Sequence, residues 1–521
     1  MRTRRSLTPV VVEQGPYTEM FDALDPAVAQ PGRAALLQNV YPLDAEEGEG
    51  LVGRPGFAAS DTAGQTGLGQ GVHQFTKLDG TETRCYVFAG SLYTWSTTQT
   101  ATDLTVLGLS ATARVSMVTF ANTLILSDGL MSPIQWDGKS TFTVLTNCPP
   151  LYGQPTVYSA KLFGIKASDR ATFVWSEENN PAIGYQATVS GFTYANAWTI
   201  AQTDANPLVA LRGTNAALYY WRERSTGAVF GKVNSTFVTT ATHDALSTTV
   251  GTKSAWGIAA HGEGFLFPDA DGRPHRLVPR GGVVPVWQPF RETLVNIPRA
   301  SLVNAIGIDY PAARLVLIGY AETLQTYPTV WLVYRDTPDG FKAAGIFRGF
   351  TATAAGVVKD DTGVPVWVHL DASGHVYRHG NPDGVVWDDA GVAITHVVQA
   401  TPMAGDGPSD IQFTRLDLFT RVTGPLTLTL DYATPRGPSA ASLALPVGPV
   451  AGLGVALYDD VALYDVAQYV AGAVEVKTTV GWSGVGRWIQ PRLTHATVGE
   501  QFAFLKWRVL GQPLGTHPSA P

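Results

Sequence analysis

Charge is scarce in this chain. Only 15% of its 521 residues are Asp, Glu, Lys or Arg, against about 25% in an average soluble domain. A disordered chain needs many charges and few hydrophobics, and an apolar content of 45% excludes that class. Cysteine is nearly absent: Cys85 and Cys148 form no CxxC pair and no disulfide framework, which fits a reduced compartment. A basic surplus is missing too. The 36 basic and 43 acidic residues leave a net charge of −7, and no basic stripe occurs beyond Arg2, Arg4 and Arg5, whereas nucleic-acid binders carry one. A weakly acidic surface beside DNA would act as a non-adhesive wall. No window reaches the roughly 18 apolar residues of a membrane-spanning helix. The run Pro9 to Val12 is shorter than the apolar stretch of about 7–15 residues in a signal peptide, so none is read there.

Turns and aromatics are abundant instead. The chain holds 54 Gly, 34 Pro, 13 Trp and 19 Tyr, a turn-dense and strand-favouring mixture. From about residue 70, short apolar runs alternate with turn signals. Cys85 to Phe88 is followed by Ala89-Gly90 and then by Ser91 to Trp95. Thr123 to Leu126 is followed by Ser127-Asp128-Gly129 and then by Ile134 to Trp136. Trp95, Trp136, Trp175 and Trp221 recur at intervals of 41, 39 and 46 residues. A period of about 40–50 residues with some four strands per unit is the mark of propeller blades. A single blade cannot bury both of its faces, and stacking blades around an axis does so. The expected architecture is all-β: an irregular arm over 1–69, a β-propeller of about seven blades over 70–385, a β-sandwich over 386–510 and a flexible tail over 511–521. Within the arm, Pro26 and Pro31 leave only Arg33 to Val40 room for a short helix. The loop at 433–455 is a candidate exposed insertion, and with a long loop at 225–255 it could close a lumen or dock neighbours.

The chemical motifs are weak. Gly48 to Gly53 spells GxGxxG, but Glu46 and Glu47 precede it and Pro55 follows, which suits a loop better than a phosphate site. Asp269-Ala270-Asp271-Gly272 lacks the downstream Glu of a calcium loop and reads as a hairpin turn. His369, His375 and His379 lie close enough in sequence to suggest a metal, yet a turn at Gly374 separates the first two. Glu177-Glu178 and Asp388-Asp389 are adjacent acids, which point to opposite faces of a strand. Gly481 to Val485 fails GxSxG at its last position. No catalytic, cofactor or metal constellation is expected, and the chain is not read as an enzyme.

Two segments carry a resemblance. The first is Pro31-Gly32-Arg33-Ala34, Leu37-Gln38-Asn39-Val40, then Gly53-Arg54-Pro55-Gly56-Phe57. The second is Phe120 to Leu126, Ser127-Asp128-Gly129, Pro133, then Trp136-Asp137-Gly138. With the terminal Gly486 to Leu493, they resemble the tail nozzle proteins of short-tailed bacteriophages, also called tail tubular protein B or packaged-DNA stabilisation proteins. The resemblance implies a virion protein assembled in the host cytoplasm. It implies a subunit of a ring, typically hexameric, below the portal and adaptor, which extends and closes the DNA channel and docks fibres or spikes. Double-stranded DNA would pass without specific binding, the chain would not insert into a membrane, and the arm would pack on an adjacent subunit. Arg54, Pro55, Gly56 and Phe57, with Asp128, Gly129, Trp136, Asp137 and Gly138, are expected as structural turns that close the propeller and cap blades.

Two rival classes remain. A receptor- or glycan-binding module of a phage tail would have the same composition, since propellers present loops around a central opening. Exposed aromatics such as Tyr219 to Trp221 would favour it, although alternation places Tyr219 and Trp221 on one face, suited to a core. A propeller glycosidase would need two carboxylates roughly 5–10 Å apart in one cleft.

Overall fold

The computed structural model describes the chain except residues 1–9, 23–32, 44–49, 61–63, 96–100, 105–107, 140, 185–196, 201–204, 232–241, 263, 280–281, 338–339, 381–387, 405–409, 423–425, 436, 439–441, 448–473, 499–501 and 515–521. Strands make up most of the regular structure of the described chain, with short helical turns between 288 and 313.

The first blade shows how sequence makes each unit. Gly69–Thr76, Glu82–Phe88, Ser91–Trp95 and Ala101–Leu104 form a four-stranded antiparallel meander. Ala89 and Gly90 both take positive φ at its tight turn, the geometry that two-residue hairpins demand. Alternation sends Val87 towards the second blade, beside Leu124, Ile134 and Trp136, while Tyr86 and Phe88 face the last blade, beside Val366 and Val368. Each interface between blades is therefore built from one face of each neighbour. Tyr219 and Trp221 likewise pack with Phe265 and Phe267 of the fifth blade, and Tyr220 with Phe163 of the third.

Seven first strands surround the axis: Gly69–Thr76, Ser116–Phe120, Leu151–Tyr158, Leu208–Gly213, Ala259–His261, Ile306–Tyr310 and Ala354–Lys359. The last of these packs back on the first. Six of them head sheets that stand as separate blades, so the expected count of about seven is corrected to six. The sector Ile306 to Arg348 is the exception. Its four strands continue through Arg33–Gln38, His396–Ala400, Trp488–His495 and Leu426–Thr434 into one twelve-stranded sheet. A repeat pattern in sequence counts the sector as a blade, but the free edge such a blade would have is paired.

The second domain is a sandwich. The continuation of that sheet faces a six-stranded sheet of Val40–Pro42, Leu51–Gly53, Phe502–Pro513, Ile411–Val422, Val474–Gly486 and Val10–Gln14. Leu37, Val398, Leu428 and Leu493 from one sheet meet Leu416, Leu418, Phe504 and Trp507 from the other in a shared core.

The segment read as an irregular arm is thus corrected. Val10–Gln14, Arg33–Gln38, Val40–Pro42 and Leu51–Gly53 are sandwich strands, and Phe57–Ala59 is the fourth strand of the last propeller blade, paired with Val376–His379. The short helix expected at 33–40 is strand. A helix of that length is marginal alone, and here two waiting sheet edges take the backbone. The arm's described strands pair with other strands of the chain. Asp388–Asp389 and Val392–Ala393 belong to the propeller sheet, and the last strand runs to Pro513, so the tail begins later than expected. Within the two expected loops, Thr226–Phe230 and Thr242–Ser247 are blade strands, and Gly437–Pro438 and Leu443–Val447 pair with Leu426–Thr434. No helix among the described residues is long and apolar enough to cross a membrane.

Candidate functional site

The first predicted motif sits at the joint between propeller and sandwich. Arg54 is 1% exposed, and all five of its N–H groups donate. Nε reaches Asn39 Oδ1 at 2.9 Å; Nη1 reaches Asp389 Oδ1 at 2.8 Å and the Pro55 carbonyl at 3.3 Å; Nη2 reaches Asp389 Oδ2 at 2.5 Å and the Arg348 carbonyl at 3.0 Å. This is the bidentate fork that makes Arg suited to buried carboxylates. Burial raises the Asp389 carboxyl above its usual range, and the Arg54 guanidinium opposes that rise. Asn39, at φ 56°, also accepts from the Arg348 backbone N–H and donates to the Thr395 carbonyl. Gly56 permits the strand to pass, because a Cβ there would lie 1.9 Å from the Asp388 carbonyl oxygen. Phe57 then packs on Phe350, Tyr377, His369 and His379.

The second motif lies elsewhere, between the first two blades. Asp128 accepts from the backbone N–H groups of Ser110, Leu130 and Met131 at 3.0, 2.9 and 3.2 Å. Gly129 turns at φ 76°. Trp136 stacks near Phe142 and Phe75, and its indole donates to the Lys139 carbonyl. Asp137 accepts from the Lys139 and Thr141 backbones, which holds its carboxyl low, and Gly138 turns at φ 80°. The two motifs do not converge on one site. Asp128→Ala leaves three backbone donors without their acceptor and is expected to cost about 2 kcal/mol. Asp128→Asn keeps an acceptor and is expected to cost less. Urea midpoints of the two variants check this, and equal midpoints would refute the turn role.

The other candidates are distributed as follows. His369 and His379 share a hydrogen bond of 2.8 Å in the core, while His375 packs against Tyr377 and Gly64. Among the described residues no group of three His, Cys, Asp or Glu is arranged to hold a metal. Asp269 accepts from the Asp271 and Arg273 backbones, as a hairpin turn does. Asp389 is consumed by Arg54.

A site that sequence reasoning missed lies where the first strands begin. Arg114, just ahead of the second blade's first strand, reaches across the axis and donates from Nη2 to the Asn304 carbonyl at 2.9 Å, just ahead of Ile306–Tyr310. Its guanidinium lies 5.5 Å from the Trp256 ring centre. Arg212 holds the same segment by donating to the Ala255 carbonyl at 3.0 Å, and it also donates to the Leu211 carbonyl at 2.8 Å and to Gln154. Neither arginine has a carboxylate partner among the described residues, and burial lowers both to about 10. Arg114 thus links the second blade at this end to the segments that lead into Ala259–His261 and Ile306–Tyr310.

Asn304 also joins this mouth to its rim, since its side-chain amide donates to the Thr326 carbonyl at 2.9 Å. The rim loop and the end of the short helix Arg291–Val295 enclose an open hollow of about 410 Å³ lined by Asn296, Glu322, Thr323, Gln325 and Thr329. Glu322 is fixed by Arg348 Nη1 at 2.5 Å and by the Thr329 hydroxyl at 3.2 Å. Arg348 therefore ties the hollow to the Arg54 joint. Leu324 stands 97% exposed beside it with φ 69°, and Val295 is 76% exposed. A non-glycine residue at positive φ on a fully exposed tip is held by its neighbours rather than by burial. Sequence gave no signal for this assembly, because its residues come from loops of blades far apart in the chain.

No family model matches the chain, and no curated protein does. Solved structures do. BamB from Moraxella catarrhalis aligns with 9% identity over 72% of this chain and 99% of that one, with a TM-score of 0.36. Virginiamycin B lyase from Staphylococcus aureus aligns with 9% identity over 59% of this chain and 80% of that one, at 0.30. PorZ, a surface component of the type-IX secretion system of Porphyromonas gingivalis, aligns with 10% identity over 66% of this chain and 42% of its own, at 0.38. The arrangement of its blades makes this a propeller-fold protein.

Proposed function

We propose that the chain is a non-catalytic binding module of a phage tail, which meets a host-surface receptor through the propeller face that carries the mouth and the rim hollow. One observation carries the reading. That face combines the exposed Leu324 and Val295 with an open hollow lined by amide, hydroxyl and carboxylate side chains. The motif residues Arg54 to Phe57 and Asp128 to Gly138 serve joints and turns instead. Exposed apolar side chains rimmed by polar ones mark interaction sites. In a test with labelled full-length chain on cells of the host strain, the wild type is expected to bind. Leu324→Asp, which tolerates the left-handed backbone, is expected to bind at least tenfold more weakly. Equal binding by both would sink the reading.

A second reading, a nozzle-ring subunit below a portal and adaptor, draws on the placement of the resembling motifs. Both hold the architecture together rather than form a pocket, as a shared structural role requires. It is tested by light scattering of the chain alone and with a portal–adaptor complex. Six copies on the complex support it, and a chain that ignores the complex overturns it.

A further inference from the structure

We propose that the rim hollow is a saccharide subsite for a neutral sugar, an inference that rests on the binding-module reading. The lining is chemically narrow. Asn296 and Gln325 offer side-chain amides, Thr323 and Thr329 hydroxyls, and Glu322 a carboxylate. Amides and hydroxyls each donate and accept, which matches sugar hydroxyls, groups that also do both. The Asn296 and Gln325 amides have no hydrogen-bond partner among the described residues, whereas Glu322 is held by Arg348 and Thr329.

The same lining excludes other ligand classes. Arg348, which engages Glu322, lies outside the lining, so the only charge an anionic ligand would meet in the lining is a carboxylate. No aromatic side chain lines the hollow, so a nucleobase would find no stacking surface. An apolar ligand would strand the polar groups without partners. The exposed Leu324 side chain beside the hollow supplies an apolar contact for the C–H face of a sugar ring. The volume of about 410 Å³ lies in the range of small-ligand sites.

The hollow is also held in shape. Thr323 donates its hydroxyl to the Asn296 carbonyl at 3.3 Å, and the Gln325 backbone N–H donates to the Glu322 carbonyl at 3.0 Å. Glu322 is tied through Arg348 to the buried joint, since the Arg348 carbonyl accepts from Arg54. The Gln325 amide is thus presented on a loop held to the Asn296 carbonyl and to Arg348, which reduces the ordering cost of binding.

The test uses the full chain on an array of neutral hexose, neutral N-acetylhexosamine and acidic oligosaccharides, followed by titration of the best neutral probe. Binding to neutral probes is expected, weakened about tenfold by Asn296→Ala and by Gln325→Ala, the scale of one lost hydrogen bond. Both residues are exposed, so melting temperatures should stay at the wild-type value. Leu78→Ser, on an exposed hairpin of the first blade, should leave binding unchanged. Binding only to acidic probes, binding unaffected by the two alanine variants, or no binding to any probe each overturns the subsite. Host-cell binding separates this failure from failure of the module. If the double alanine variant still binds cells and Leu324→Asp does not, the module stands and the subsite falls.

Discussion

Arg54→Met is expected to lower propeller stability by about 3–5 kcal/mol, the cost of removing one partner from a buried ion pair. The fall in melting temperature should be roughly 5–10 °C. The physical reason is what remains. Asp389 would keep its burial and lose the guanidinium that offsets it, and the Asn39 amide and the Arg348 and Pro55 carbonyls would lose donors. Arg54→Lys retains a charge but offers three donors from one point to acceptors spread across a plane. It should therefore fall between Met and wild type. Arg54→Met combined with Asp389→Leu removes the stranded carboxylate and should recover part of the loss, though not all, since the Asn39 amide and the Pro55 and Arg348 carbonyls each still lack the donor Arg54 supplied. Proteolysis gives an independent readout. The strand Phe57–Ala59 closes the last blade beside Val376–His379, so a loosened joint should expose cleavage around residues 57–69. Calorimetry of the four proteins decides it, and an Arg54→Met chain that melts within 1–2 °C of wild type would refute the joint.

That joint marks the limit of what a sequence can display. The blades were legible because their signals are local. Alternation in Ser91 to Trp95 and Ile134 to Trp136, with turns at Gly90 and Gly129, states strand, turn and face within a dozen residues. The count went astray at Ile306 to Arg348, whose strands read as a blade but whose edge is taken by Arg33–Gln38 from the arm. The arm itself carries Arg33, Arg54 and several prolines, and nothing near it reveals that its partners lie about 300 residues away. Arg54 and Asp389 are separated by 335 positions. The resemblance picked out Arg54 to Phe57 as a unit, and pairing across the chain explains why an Arg stands there. The mouth was invisible for the same reason. Arg114, Trp256, Asn304 and Gln325 have no shared spacing, and only closure of the ring brings them to one face.

Mild acid is expected to unfold this protein well before its carboxylates titrate. His369, His379, His396 and His495 are each 1% exposed. They form two pairs: His369 Nδ1 lies 2.8 Å from His379 Nε2, and the rings of His396 and His495 are stacked with Nδ1 atoms 3.3 Å apart. One proton between two facing nitrogens makes a hydrogen bond, and a second makes a repulsion. Burial lowers His369 and His396 to about 3 and His495 to about 4, and pushes His379 well below its usual value. The Arg54 charge lowers His369, His379 and His396 further. The unfolded chain binds protons at these histidines near pH 6.5, while the folded chain does not. Their contribution is therefore intact above pH 6.5 and is lost as pH falls towards 3–4. The four protons these rings take up on unfolding alone bring the slope towards about 5 kcal/mol per pH unit, and His73, lowered by burial to about 4, and His243, also lowered by burial, steepen it. The depressed carboxyls of Asp137, Asp169, Asp360 and Asp417 add their loss only below their ordinary value of 3.8. His261, raised by Asp309 and Asp336, opposes the trend, but it is a single and more exposed group. Urea midpoints measured from pH 7.5 to pH 4.5 should fall steeply below pH 6. Replacing His396 and His495 with Phe and Leu should remove about a third of the slope, because two of the six protons go with them. A midpoint that stays flat down to pH 5 would mean that these rings already carry their protons in the folded core, contrary to the geometry of both pairs.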